Sequence, residues 1–320
     1  MHLFKSSALA LACCTLPVAG FAAVDLECST ARVLVGFPPG GGTDFQARVV
    51  VDAINEVSDG VHLQVVNLSG QSGNRAAREV IDAAPDGCTL FFHHAALLSS
   101  YLTGRTETSW DAFAPVAMVS FEPAIYAASR NDNFNSLSEL VDYASAHPGE
   151  ITAAVSVGSD SHFFALQLQD LLDVELNLVG YNGEAERVTA MLSNVIQFAQ
   201  VTEQTASQYL GNELVPLTYA YTERSDSLPD VPTAREAGYD FVVGTTRGLL
   251  MPKDTPAEIV DHYAQLIEQA MQSEEVQAAF ERTGTIVDYR APAEYTAWWQ
   301  ETAAAWEELA IKLGIFQPRG

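Results

Sequence analysis

Lysine is scarce in this chain. Three lysines and thirteen arginines face 41 aspartates and glutamates, and the formal net charge is −25. That balance argues against nucleic acid as a partner, because phosphate contacts need a basic surface. It also suits a high-salt setting, where dense surface acids keep a protein soluble. Cysteine is sparse as well, with four residues, two of them within the first 22. Beyond the N-terminus no apolar run approaches the roughly 20 residues a membrane helix needs. Several signature loops are missing. No Gly-Lys-Ser/Thr follows a glycine loop and no Gly-x-Gly-x-x-Gly occurs, so neither nucleotide fingerprint is present. There is no Gly-x-Ser-x-Gly elbow for a nucleophilic serine and no His/Cys/Asp/Glu cluster with metal spacing. Neither a cofactor nor a metal is expected, and no internal repeat or flexible linker stands out.

The N-terminus, by contrast, is informative. Met1 to Lys5 carry positive charge, Ala8 to Val18 are largely apolar, and Gly20-Phe21-Ala22 places small residues at −3 and −1. This is the three-part plan of a secretory signal peptide. A lipoprotein anchor at Cys13 competes with it, but the apolar segment before Cys13 is very short, so soluble export to the periplasm is the expectation. Cleavage after Ala22 leaves 298 residues, enough for two domains, with 15 basic and 41 acidic side chains. Cys28 and Cys88 remain. In an oxidising compartment an even pair forms a disulfide, and buried free thiols are the alternative.

Short apolar runs alternate with amphipathic stretches. Arg32 to Phe37, Leu63 to Leu68 and Thr89 to His93 read as strands, with helices over Asp44 to Val57 and Asn74 to Ala84. Ala47, Val50, Val51 and Ile54 fall on one face of the first helix. The pattern resumes at Ala124 to Ala128, followed by a helix over Leu137 to Ala146. Ile151 to Val155, Glu175 to Val179, Val195 to Val201 and Val215 to Ala220 read as strands. Helices near His162 to Leu172 and Glu184 to Leu192 separate them, and Ala234 to Gly238 reads as a short helix end. Helices then dominate from Pro256. Trp298, Trp299 and Trp306 are spaced to dock the last helix on a core rather than to cage a ligand. Alternation of this kind predicts parallel sheets with crossover helices. Two lobes are expected, residues 23–123 with 246–320 and residues 124–245, with hinge crossings near 124–128 and 241–245. Cys28 and Cys88 then precede the first and third strands, which are often parallel neighbours in a doubly wound lobe.

The strongest local signal is Gly36-Phe37-Pro38-Pro39-Gly40-Gly41-Gly42-Thr43-Asp44, between a strand and a helix. Consecutive glycines let a ligand approach the main chain. Thr43 and Gln46 have capping-box spacing, which places the helix start at Asp44. Free N–H groups and the helix dipole at that end form an anion site.

This loop, followed by an Ala-Arg helix, resembles the opening of the substrate-binding receptors of tripartite tricarboxylate transporters, the TctC or Bug family. The likeness continues through Gly70-Gln71-Ser72-Gly73-Asn74, Ala84-Pro85-Asp86-Gly87-Cys88-Thr89-Leu90, Gly158-Ser159-Asp160-Ser161-His162, Tyr181-Asn182-Gly183 and Leu228-Pro229-Asp230-Val231-Pro232-Thr233, in family order. The resemblance implies a type II periplasmic-binding-protein α/β fold, two lobes joined by a two-crossing hinge and closing on a small organic acid. It implies ligand contacts from Phe37, Gly41, Gly42, Thr43 and Asp44 in the first lobe. In the second it implies Ser156, Gly158, Ser159 and His162, with Tyr181, Asn182 and Gly183. It further implies delivery to membrane permease subunits and no catalysis; a monomer is expected.

The chain departs from the family pattern at Asn182-Gly183-Glu184, where relatives carry a basic or small residue after the tyrosine, and at Thr245-Thr246-Arg247-Gly248. Glu184 either faces the cleft or serves only the helix dipole. Arg247 pairs either with a distal acid group of the ligand or with a surface carboxylate. His93 and His94 are adjacent on a strand, which should send their side chains to opposite faces. Two other classes stay open: a secreted α/β hydrolase or transferase using the glycine loop as an oxyanion or phosphate site, and a sensor presenting its ligand to a signalling partner.

Overall fold

The computed structural model describes residues 24, 26–130, 133–209 and 213–317; the expected signal peptide lies outside them. The first half of the chain forms β1 (Thr30–Val35), α1 (Gly42–Val57), β2 (His62–Asn67), α2 (Asn74–Ile81), β3 (Thr89–His94), α3 (Ala96–Leu102), β4 (Phe113–Pro123) and β5 (Ile125–Ser129). There follow α4 (Leu137–Ala146), β6 (Thr152–Val155), α5 (Asp160–Leu172), β7 (Asn177–Gly180), α6 (Glu184–Leu192), β8 (Phe198–Val201), α7 (Glu203–Tyr209) and β9 (Leu214–Tyr219). The last part contains β10 (Gly244–Pro252), α8 (Ala257–Met271), α9 (Glu274–Glu281), β11 (Ile286–Arg290) and α10 (Pro292–Lys312).

Two sheets organise these elements into two lobes. The first has six strands in the order β11-β4-β10-β3-β1-β2, the second five in the order β7-β6-β8-β5-β9. β1 runs parallel to both β2 and β3, while β10 is antiparallel to β3 and β4. Val33, Leu34 and Val35 are all buried, as a strand covered on both faces requires. Ala47, Val50, Val51 and Ile54 of α1 lie against one face of the first sheet with Tyr263 and Ile267 of α8. On the other face a core runs from Leu34 and Phe91 through Trp299 and Trp306 of α10 to Phe163 and Phe198 of the second lobe. Trp299 is fully buried and stacks on Trp110 at 6.2 Å. The chain leaves the first sheet at Pro123, enters the second at Ile125, and returns at Gly244. The two crossings are bonded to each other, Ala124 N–H donating to the Val243 carbonyl at 2.8 Å.

Some expectations need correction. α1 begins at Gly42 rather than Asp44: Gly41 is the extended N-cap, with no side-chain cap, and Thr43 lies inside the first turn. The capping box fails because both of its residues are used elsewhere, Thr43 Oγ1 by Arg247 and Gln46 by Thr285 and Ser120. β8 starts at Phe198, since Asn194 turns the chain with a positive φ of 55°. Residues 234–238 form turns instead of a helix end. β4, with Pro115 and Pro123, has no counterpart among the expected strands; it lies between β10 and β11, with register shifts in both pairings.

Cys28 and Cys88 are disulfide-bonded, with Cα atoms 6.0 Å apart at the starts of the paired strands β1 and β3. The bond closes a loop of 60 residues, for which chain entropy gives about 4 kcal/mol. Thiol titration of the unreduced, unfolded mature protein is expected to find no free cysteine. The Cys28→Ser/Cys88→Ser variant should lose several kcal/mol, roughly 2–5, in urea unfolding.

Candidate functional site

Between the lobes lies a cleft of about 660 Å³. Gly40, Gly41 and Gly42, with Phe45 and Gln46 of α1, form one wall; Glu184, Val188 and Leu192 of α6, with Thr202 and α7, form the other. Glu122 at the end of β4 and Thr285 complete the lining.

The glycine wall is held from behind. Asp44, buried to 3% exposure, accepts from the Gly40 amide at 2.9 Å, Arg48 Nε at 3.0 Å and Asn67 Nδ2 at 2.8 Å. Asn67 also donates to the Phe37 carbonyl at 3.1 Å. Asp44 therefore shapes the loop with its carboxylate and does not offer that carboxylate to the cleft. Among the described residues nothing accepts from the amides of Gly41, Gly42 and Thr43, the unpaired donors of a helix N-terminus.

Arg247 does not form the surface pair that its position in sequence left open. It is 7% exposed and forms a buried ion pair with Glu122, Nη1 to Oε2 at 2.6 Å, so it is not in a surface salt bridge. Its Nε donates to Thr43 Oγ1 at 3.3 Å, and Nη2 lies 3.5 Å from where a Cβ on Gly42 would sit. The guanidinium thus underpins the first turn of α1. Glu184 does line the cleft, and its Oε1 accepts from the amide and hydroxyl of Thr202 at 2.7 and 3.0 Å.

A second group surrounds the start of α5. Phe37 stacks on His94 with ring centroids 4.8 Å apart, and His94 Nδ1 lies 2.8 Å from Asp160 Oδ2, linking the first loop to the second lobe. The two histidines do not diverge as expected: His93 and His94 are stacked at 4.8 Å, because the strand ends there and turns into α3. Burial, then the charges of His94 and Arg247, hold His93 well below the usual histidine range, so it is neutral. Gly73 packs against its ring; a Cβ there would come within 2.3 Å. Among the described residues no group of three or more His, Cys, Asp or Glu side chains could hold a metal.

The hydroxyls of this region can be assigned by counting protons. Ser159 Oγ donates to the Ser156 carbonyl at 2.7 Å. Ser161 Oγ accepts from the Ser156 amide and from Arg187 Nη1, at 3.0 and 2.7 Å, so its own proton goes to Ser159 Oγ at 3.0 Å. Ser156 Oγ accepts from Arg187 at 3.0 Å, and among the described residues nothing accepts its proton. Ser159, expected to face the ligand, has its hydroxyl proton committed inside the loop. Gly158, at φ 79°, lies against Arg105, and its amide donates to His162 Nδ1 at 3.4 Å. Burial first, then Arg105, lower the His162 pKa. With Nδ1 occupied by that amide, His162 does not form a serine–histidine relay.

The third expected loop is less involved. Tyr181 is not among the residues lining the cleft; it lines an adjoining apolar hollow with Val195, and Ala185 borders both. Asn182 is exposed and bonded to Glu186, and Gly183 is the N-cap of α6 at φ 144°. Missed by the sequence reading are Glu122, Asp160 and Arg187. Only Arg187 left a signal: a lone arginine beside Val188 and Met191 on the buried face of α6.

Comparison with known proteins gives a consistent result. Residues 47–315 match the family model described as tripartite tricarboxylate transporter family receptor. The chain is 28% identical over 261 residues to protein BugT of Bordetella pertussis, covering 79% of each. Among solved structures it is similar to MatC of Rhodopseudomonas palustris with bound malate, at 29% identity and TM-score 0.75, covering 88% of this chain and 98% of that one. An R. palustris structure with adipate has TM-score 0.79 at 24% identity, covering 91% and 99%, and shares the fold.

Asp44 offers a test of the loop's support. Burial alone would raise its carboxyl, but the bonds from Arg48, the Gly40 amide and Asn67 outweigh it and hold the pKa below the usual value. A lowered folded-state pKa stabilises fully above the unfolded value of about 3.9 and is lost as pH falls through the folded one. Asp44→Asn should be less stable than wild type by about 1–3 kcal/mol at pH 7. Urea unfolding should show that gap closing below about pH 4.

Proposed function

Because the chain belongs to the tripartite tricarboxylate transporter receptor family, we propose that it is a periplasmic solute-binding protein that captures a small organic carboxylate for delivery to membrane permease subunits. The observation that carries this reading is the N-terminus of α1, which opens into the cleft through the exposed Gly40, Gly41 and Gly42, with the amides of Gly41, Gly42 and Thr43 unpaired among the described residues. It supplies partial positive charge to an anion without a basic side chain in the loop. MatC, of the same fold and 29% identical, holds malate. Family and fold are those of transport receptors, not enzymes.

In this reading one carboxylate of the ligand rests on the amides of Gly41, Gly42 and Thr43, and closure of the lobes brings the Ser156 to His162 and Tyr181 to Gly183 loops, which lie outside the cleft lining, over it. Residues 23–123 and 246–320 form one lobe and 124–245 the other. They close about the crossings near 124–128 and 241–245, and the protein acts as a monomer after removal of its signal peptide.

Two measurements test the reading. Mass spectrometry of the protein as purified should identify a small organic acid, and calorimetry should show that acid binding far more tightly than its neutral amide. Gly42→Val should weaken binding roughly ten- to a hundredfold, the value of one hydrogen bond to a charged group. An amide that binds as tightly as the acid refutes the anion site. X-ray scattering should show a smaller radius of gyration at saturation; an unchanged radius counts against closure.

A further inference from the structure

Arg187 is a buried cation with no carboxylate partner. It is 5% exposed, and among the described residues no acid lies within ion-pair distance of it. Its bonds go to neutral acceptors: Nη1 to the hydroxyls of Ser156 and Ser161, Nη2 to the carbonyl and side chain of Gln200 at 3.3 and 3.4 Å. Its Nε is buried with no hydrogen-bond partner among the described residues. Glu184, one turn earlier, acts on it electrostatically, but the Glu184 carboxylate is already bonded to Thr202. A buried charge without a counter-charge is strongly disfavoured.

The position of this guanidinium is as telling as its isolation. Ser156 follows β6 and Gln200 lies near the end of β8, neighbouring parallel strands of the second sheet. Open α/β sheets bind ligands at the carboxyl ends of their strands. On α6 the flanking residues Glu184 and Val188 line the cleft. Ser156 is the one hydroxyl of the serine cluster with an uncommitted proton, and Arg187 draws on its oxygen.

We propose that Arg187 is a specificity-determining positioning residue: acting through the Ser156 hydroxyl, it supplies the second lobe's positive counter-charge to the bound acid. This rests on the carboxylate reading above. It assigns the anion two distinct supports, main-chain amides in one lobe and a relayed guanidinium in the other. Loading the cleft with an anion then relieves the uncompensated charge of the empty protein.

The test is calorimetric titration of ligand-free protein with acetate, malate, adipate and citrate, and with the amide of whichever acid binds. Ser156→Ala and Arg187→Gln should each weaken the acid roughly ten- to a hundredfold and leave the amide nearly unchanged, so that acid-over-amide preference collapses. Arg187→Lys, which keeps the charge, should retain part of that preference. Wild-type protein that binds none of the acids overturns the carboxylate reading and this proposal together. Wild-type binding with undiminished preference in Ser156→Ala and Arg187→Gln overturns this proposal alone, as does an equal loss for acid and amide. If Arg187→Gln does not fold, Ser156→Ala decides: an unchanged preference overturns the proposal.

Discussion

The ion pair between Arg247 and Glu122 ties the cleft to the place where the chain passes between lobes. Glu122 is the penultimate residue of β4, one step before the outgoing crossing, and Arg247 stands near the start of β10, just after the return. The two strands are antiparallel neighbours, so their side chains meet beside the crossings. A buried pair of this sort contributes little net stability, yet removing either partner leaves an isolated buried charge. Its consequence is geometric. Arg247 also bonds Thr43, which hangs the first turn of α1 from the strands that lead into the second lobe. The unpaired amides of α1 and the crossings are therefore joined through one buried set of contacts.

For the proposed function, that set of contacts answers the difficulty of holding an anion in a chain with net charge −25. The acids at the cleft are each engaged: Glu122 by Arg247, Glu184 by Thr202, and Asp44 by Arg48, Asn67 and the Gly40 amide. Within the cleft the local field comes from amides and buried guanidinium groups, which act at short range in a medium of low dielectric. The exposed acids act over longer distances and are screened beyond a Debye length of about 8–10 Å in ordinary salt. Composition thus governs solubility, and local geometry governs ligand charge.

The sequence made some of this legible and hid the rest for physical reasons. The β1–glycine loop–α1 unit was readable because a buried strand, three glycines and a 3.6-residue apolar period coincide there. The cysteine pairing followed from two parallel neighbours. β4 was hidden because Pro115, Pro123 and Glu122 each argue against a strand, and only its two neighbouring partners make it one. The bracing bonds of Asp44 and Ser159 were hidden because a polar residue beside a binding loop looks the same in sequence whether it contacts the ligand or braces the loop. Hydrogen-bond partners 23 residues away, as with Asn67 and Asp44, leave no local trace. The signal that Arg187 left, an arginine among apolar neighbours, was weakened by Glu184, since acid and base three apart on a helix read as an ordinary exposed pair.

The C-terminal helix adds a third connection between the lobes. Tyr295 and Trp299 at its start pack in the core beside β4, and Trp306 near its end stacks on Phe163 of α5 at 4.6 Å. Lys312 adds an ion pair to Asp170 of the same helix. A stacked aromatic pair of this size is worth about 0.5–1.5 kcal/mol beyond its area burial, while the exposed Lys312 pair adds little. Separation of the lobes must therefore either expose Trp306 or carry the end of α10 along with α5. The second course costs less, because it keeps the apolar contact and bends only the last turns of a helix whose start stays anchored on the first sheet. The two strand crossings join the lobes through the main chain; α10 joins them through apolar side chains, so any separation is limited by the apolar surface it would give up to water.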